Sequence, residues 1–256
     1  MKIGFFDSGI GGVTVLYEAL KVLPREDYVY YADTLHNPYG IRPKEEIREL
    51  VLEAVDFIVK QKIKALVVAC NTATSVAIED LRKIYRFPVI GMEPAVKPAV
   101  ENHKNKRVLV FATELTLKEK KFKNLLLRFD LRNIVDYIPL QELVRFAERF
   151  EFNREVILPY LQEKLSTFNI DDYGTVVLGC THFQFFKDLF RQVLPSDIDI
   201  IDGNKGTVEN LKRKLIEMNK IENGDGRIFF YNSGIEGTDE DKERLSRYLE
   251  HLRMIE

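Results

Sequence analysis

Cysteine is scarce in this chain of 256 residues: there are two, Cys70 and Cys180. Two thiols are too few for a disulfide scaffold. A zinc site built from Cys70, Cys180 and His182 would be sparse in ligands, and no Cys-x-x-Cys or His-x-x-His spacing supports one. An excess of one charge is also missing. The formal net charge is −2, which gives no electrostatic basis for binding nucleic acid or an anionic membrane. No apolar run is long enough to span a bilayer. The opening MKIGFFDSGIGG lacks the apolar core and small-residue cleavage site of a signal peptide, so a cytoplasmic location is expected. There is no pyridoxal-phosphate lysine signature and no metal motif, so no cofactor is expected. Low-complexity segments and flexible linkers are absent too.

What remains is an ordinary globular composition, 45% apolar and 30% charged, long enough for one large domain or two medium ones. Short apolar runs alternate with longer amphipathic stretches. Strands are expected at 3–6, 28–31, 65–69, 89–91, 107–111, 134–138, 175–178, 199–201 and 227–231. Helices are expected at 13–22, 44–60, 75–85, 118–128, 154–166, 185–193, 208–218 and 239–252. This alternation predicts an α/β protein with mainly parallel sheets covered by helices on both faces. The continuous apolar character of ALVVA and TVVLG suits strands buried on both sides. The chain also nearly repeats itself: ALVVACNT (65–72) and TVVLGCTH (175–182) each run a strand into a cysteine motif. Two like α/β/α domains follow, one of residues 1–94 plus 207–256 and one of residues 95–206. Each would offer one cysteine at the carboxyl end of a strand, where open α/β sheets bind ligands. Facing one another, they would place both thiols in a shared cleft.

Four segments carry chemistry. Asp7-Ser8-Gly9-Ile10-Gly11-Gly12 follows the first strand. Its glycines allow close backbone approach, and the helix behind it would aim free N–H groups at an anion such as a carboxylate. A simple strand–helix turn capped by Asp7 or Ser8 is the plainer reading. A dinucleotide fingerprint ending in Asp33 fails, because Thr14 stands where the third glycine belongs. In the loop 33–40, Tyr39 and the Gly40 backbone are candidate donors to a carboxylate, or else a surface turn. In Cys70-Asn71-Thr72, the thiol at a strand–helix junction is expected to have a lowered pKa, with Asn71 and Thr72 as neutral donors. Cys180-Thr181-His182 repeats that logic with an ionisable neighbour in His182. For each cysteine a buried structural thiol is the alternative.

DSGIGG, PYG, VVACNTAT and LGCTHF, in this order, resemble the bacterial glutamate racemases. The resemblance covers most of the chain and is clearest over 1–94 and 175–184. Aspartate racemases are similar in architecture, but their second cysteine motif typically continues with Glu after Thr, where this chain has His182. The resemblance implies two pseudo-symmetric α/β domains with the site between them, and Cys70 and Cys180 as the catalytic acid/base pair. Asp7, Ser8, Tyr39, Gly40, Asn71, Thr72, Thr181 and His182 match the family's substrate-binding positions. Asp7 and His182 would also tune the thiols, and a family carboxylate in the middle of the chain matches Glu148. It further implies a homodimer, glutamate as the small-molecule substrate, and D-glutamate for peptidoglycan as the product. By the same analogy Cys180 deprotonates the L-isomer and Cys70 the D-isomer. The chain departs from the family pattern at Phe183-Gln184, at Gly91-Met92-Glu93-Pro94, before Thr113, and across 139–152.

The chemistry suits these residues. Inverting an amino acid means removing a weakly acidic Cα proton and returning one to the opposite face. That takes two groups whose protonation states exchange, and thiols can be tuned near working pH. The competing readings are a racemase of aspartate or another small diacid, a redox protein that joins the two cysteines reversibly, and a non-catalytic amino-acid-binding domain.

Overall fold

A computed structural model describes residues 1–102, 105–130 and 132–256. In chain order the elements are β1 (Lys2–Asp7), α1 (Val13–Val22), β2 (Tyr28–Ala32), α2 (Lys44–Lys60), β3 (Ile63–Val68), α3 (Asn71–Ile84), β4 (Val89–Gly91) and α4 (Val96–Glu101). There follow β5 (Arg107–Ala112), α5 (Glu114–Lys118), α6 (Lys120–Phe129), β6 (Val135–Pro139), α7 (Gln141–Glu148) and α8 (Arg154–Leu165). The chain closes with β7 (Tyr173–Leu178), α9 (Lys187–Val193), β8 (Asp199–Asp202), α10 (Asn204–Glu217), β9 (Ile228–Asn232), β10 (Ile235–Glu236) and α11 (Asp239–Ile255).

The strands form two sheets, ordered β10-β9-β2-β1-β3-β4 and β6-β5-β7-β8. All pairings are parallel except the terminal β9–β10 hairpin. Parallel neighbours need crossover connections, and the helices supply them, burying both sheet faces. β3 and β7 are accordingly buried along their whole length. α2 shows how a crossover helix is written: Ile47, Val51, Ala54, Val55 and Ile58 form one buried stripe, at the helical spacing of one face.

The repeat seen around the cysteines extends over four strands. The order β2-β1-β3-β4 in one sheet is matched by β6-β5-β7-β8 in the other. Even an irregularity recurs: the register slips between Lys2 and Ile3 where β1 meets β3, and between Arg107 and Val108 where β5 meets β7. Cys70 therefore follows β3 and Cys180 follows β7 at corresponding places.

Several boundaries differ from the sequence expectation for local reasons. α3 begins at Asn71 rather than 75, because the Cys70 sulfur itself caps it, accepting the Ala73 N–H at 3.4 Å. The helix expected at 118–128 is α6, which starts only at Lys120 because Glu119 is extended (φ −70°, ψ 144°), and α5 before it was not expected. The helix expected from 185 starts as α9 at Lys187, after a tight turn of six residues, Thr181–Phe186. α4 was not expected; Pro98 lies in its first turn, where the missing N–H costs little. α7 was not expected either, and it carries Gln141 and Glu148. Among the described residues no helix is long and apolar enough to cross a membrane.

Candidate active site

Cys70, from the end of β3, and Cys180, from the end of β7, line one cavity together with Ser8, Tyr39, Gly40, Asn71, Thr72, Thr181 and His182. Those nine were all singled out from sequence. The cavity is narrow. Its volume is about 10 Å³, enough for one water molecule. Both thiols are free and buried. Among the described residues no group of three or more His, Cys, Asp and Glu side chains is arranged to hold a metal ion.

Asp7 and Glu148 do not line this cavity; they stand behind it. Asp7 is fully buried at the end of β1. Its carboxylate accepts the Gly9 N–H at 2.9 Å and, across to the second sheet, the Thr181 hydroxyl at 3.1 Å. Burial pushes its pKa up to about 6, although the His182 charge and the Gly9 N–H pull it down. The sign of the linkage is definite. A carboxyl whose pKa is raised on folding holds its proton better in the folded state. Its stabilising contribution is therefore complete below the unfolded value of 3.8 and is lost as pH rises through about 6. We expect the stability of the natural protein relative to Asp7→Asn to fall by roughly 3 kcal/mol across that window. Urea unfolding of both proteins from pH 4 to 7 measures it, and a difference that stays flat with pH would refute the assignment.

His182 is buried between Cys180 and Glu148. Its Nδ1 lies 3.8 Å from the Cys180 sulfur and its Nε2 lies 2.7 Å from Glu148 Oε1. Burial alone disfavours the imidazolium, but the hydrogen bonds and charges of Cys180 and Glu148 outweigh it and hold His182 well above its ordinary range. Glu148, at the end of α7, is a junction. Its Oε1 also accepts the Ile10 N–H at 2.8 Å and the Asn37 amide at 3.3 Å, and its Oε2 accepts from Arg244 at 3.2 Å. The glycine loop of the first sheet thus receives an anion as its sequence suggests, but that anion is a side chain of the second half. Gly9 and Gly11 permit this contact. A Cβ on Gly9 would strike Glu148 and Asn37, and one on Gly11 would strike His182 and Thr181.

Three expectations are corrected. Helix α3 does present an N–H to the Cys70 sulfur, but burial dominates, followed by repulsion from Asp7, and pushes that thiol up to about 12. No α-helix begins at Cys180, because the turn Thr181–Phe186 intervenes before α9. The Tyr39 hydroxyl is already committed, donating at 2.6 Å to the buried carboxylate of Asp33. Asn71 donates to the Met92 carbonyl at 3.3 Å, and Thr72 joins Thr113 and Thr116 in a hydroxyl cluster. Sequence reasoning did not single out Asn37, Thr113, Gln141, Val144 or Arg244. Arg244 lies on the charged helix α11 with nothing local to mark it, and it reaches the site only through the tertiary fold.

The two thiols come one from each half of a duplicated sheet. The sequence profile of Asp/Glu/hydantoin racemases matches residues 15–211. The glutamate racemase of Halothermothrix orenii is 54% identical over the full length of both chains. The chain belongs to the glutamate racemase family. It is an isomerase of that family's fold. Glutamate racemase RacE1 from Bacillus anthracis superposes with a TM-score of 0.85 at 28% identity, covering 97% of this chain and 94% of that one. The Escherichia coli glutamate racemase, solved with L-glutamate and the activator UDP-MurNAc-Ala, superposes with a TM-score of 0.83 at 30% identity, covering 96% and 95%.

Proposed function

We propose that this enzyme interconverts L- and D-glutamate by a two-thiol mechanism. One observation carries the reading: Cys70 and Cys180 enter the same buried cavity from equivalent places in the two halves. A thiolate on one side takes the Cα proton, and the thiol on the other side returns one to the opposite face. Two groups are needed because a single base would restore the original configuration. Cys180 acts on the L-isomer and Cys70 on the D-isomer. His182, held cationic by Glu148, stabilises Cys180 as thiolate, and Asp7 balances charge behind the pair. Ser8, the Tyr39–Gly40 backbone, Asn71, Thr72, Thr181 and His182 bind the substrate. Hydrogen bonds to its α-carboxylate stabilise the charge that develops there as the proton leaves. No cofactor enters this scheme.

A muramyl-sugar activator on the Escherichia coli relative supports D-glutamate for peptidoglycan as the destination. The enzyme would act in the cytoplasm as a homodimer, with residues 1–94 plus 207–256 and residues 95–206 as its domains. The test is proton exchange. Purified protein is incubated with L-glutamate in D₂O without added cofactor, and optical rotation and Cα deuteration are followed together. Decay of rotation with deuterium entry is the expected result. Exchange of aspartate but not glutamate would move the substrate to another diacid, and exchange of no amino acid by folded, reduced protein would end the racemase reading.

A further inference from the structure

Gln141 opens α7 at the mouth of β6 and lines the cavity between the two cysteines. It is 8% exposed, yet neither its Nε2 nor its Oε1 has a hydrogen-bond partner among the described residues. Burying an unpaired carboxamide is costly, and a methionine of similar size would avoid the cost. The neighbouring hydroxyls do not relieve it, since Thr72, Thr113 and Thr116 satisfy one another. Nor is the side chain loosely placed: a Cβ on Gly40 would collide with Oε1, so the amide is wedged against that backbone. The residues lining the cavity include no lysine or arginine. The one cationic side chain there, His182, is already engaged by Cys180 and Glu148, so substrate carboxylates depend mainly on neutral donors. A carboxamide offers two N–H donors and one acceptor, the complement of an amino acid's carboxylate and ammonium groups.

We infer that Gln141 is a substrate-binding residue that helps set specificity, its Nε2 donating to a carboxylate oxygen of bound glutamate and its Oε1 facing the ammonium group. The inference rests on the racemase reading. Its test uses Gln141→Met and Gln141→Glu in the full-length enzyme, with thermal unfolding measured beside steady-state kinetics. Gln141→Met removes two unpaired polar atoms, so the free protein is expected to unfold at the same temperature or higher. Its KM for glutamate is expected to rise roughly tenfold or more, the cost of losing a hydrogen bond to a charged group, with a smaller change in kcat. Gln141→Glu sets an acceptor-only anion against the substrate carboxylate and should raise KM further. A Gln141→Met enzyme with unchanged KM overturns the inference while leaving the racemase reading intact. So does a variant whose affinity falls only in step with its stability, which would make Gln141 a packing residue. If the natural protein exchanges no Cα proton of glutamate, the racemase reading fails and takes this inference with it.

Discussion

Substituting serine for either cysteine is expected to slow glutamate racemisation by about 10²–10⁴-fold, the usual worth of a positioned acid or base. A hydroxyl is a far weaker acid than a thiol, and the site is already demanding. Burial and Asp7 push even the Cys70 thiol up to about 12 in the closed, ligand-free protein, so an alkoxide in its place lies out of reach. The two variants should not be equivalent. Each keeps one thiol, which can still take a proton from one enantiomer and return a solvent-derived one to the same face. Deuterium would then enter one enantiomer faster than its configuration changes, and Cys70→Ser and Cys180→Ser would favour opposite enantiomers. Polarimetry and NMR on the same samples read both quantities. Racemisation by either variant at the natural rate would rule out the two-thiol mechanism.

Removing the Glu148 side chain should produce the largest loss of stability. Its carboxylate joins the Ile10 N–H, the Asn37 amide, His182 and Arg244. Glu148→Ala leaves a buried imidazolium and a half-buried guanidinium without their shared counter-charge, a loss of about 3–5 kcal/mol by precedent for broken buried pairs. Glu148→Gln keeps the shape and removes the charge, so it separates the two effects. Without the carboxylate, the pKa of His182 falls. If the imidazolium supports the Cys180 thiolate, the pH above which activity declines moves down. Denaturant unfolding and a pH–rate profile check both statements. A stable Glu148→Ala protein, or a Glu148→Gln profile that coincides with the natural one, would remove Glu148 from its proposed position.

The thiols and their immediate neighbours were legible because each motif sits at a strand end, and strand ends are written in uninterrupted apolar runs such as ALVVA and TVVLG. Nine of the predicted strands are present, within one or two residues at either end. What the sequence conceals is held by tertiary contact. α7 has only eight residues and follows a proline, so its three buried apolar side chains Leu143, Val144 and Ala147 make too short a pattern to declare a helix. Glu148 and Gln141 then look like ordinary polar residues, and only the packing of α7 against the turn after Cys180 gives them their surroundings. The raised pKa of Cys70 is hidden from the sequence for a related reason. A helix N-terminus can be read from sequence, whereas the burial that overrides it depends on the opposite half of the molecule closing over the sulfur.

That closure has a consequence for successive turnovers. After inverting an L-isomer, the proposed mechanism leaves the proton on the thiol that must be bare to begin again, so the enzyme emerges prepared for the reverse direction. Resetting it requires a proton to pass from one sulfur to the other. Because both thiols are buried, bulk solvent reaches them poorly while the cleft is shut. The protein must open, or relay the proton through its own polar groups, before it forgets which enantiomer it last held. At high substrate concentration this memory, rather than the cleavage of the Cα–H bond, would set the pace.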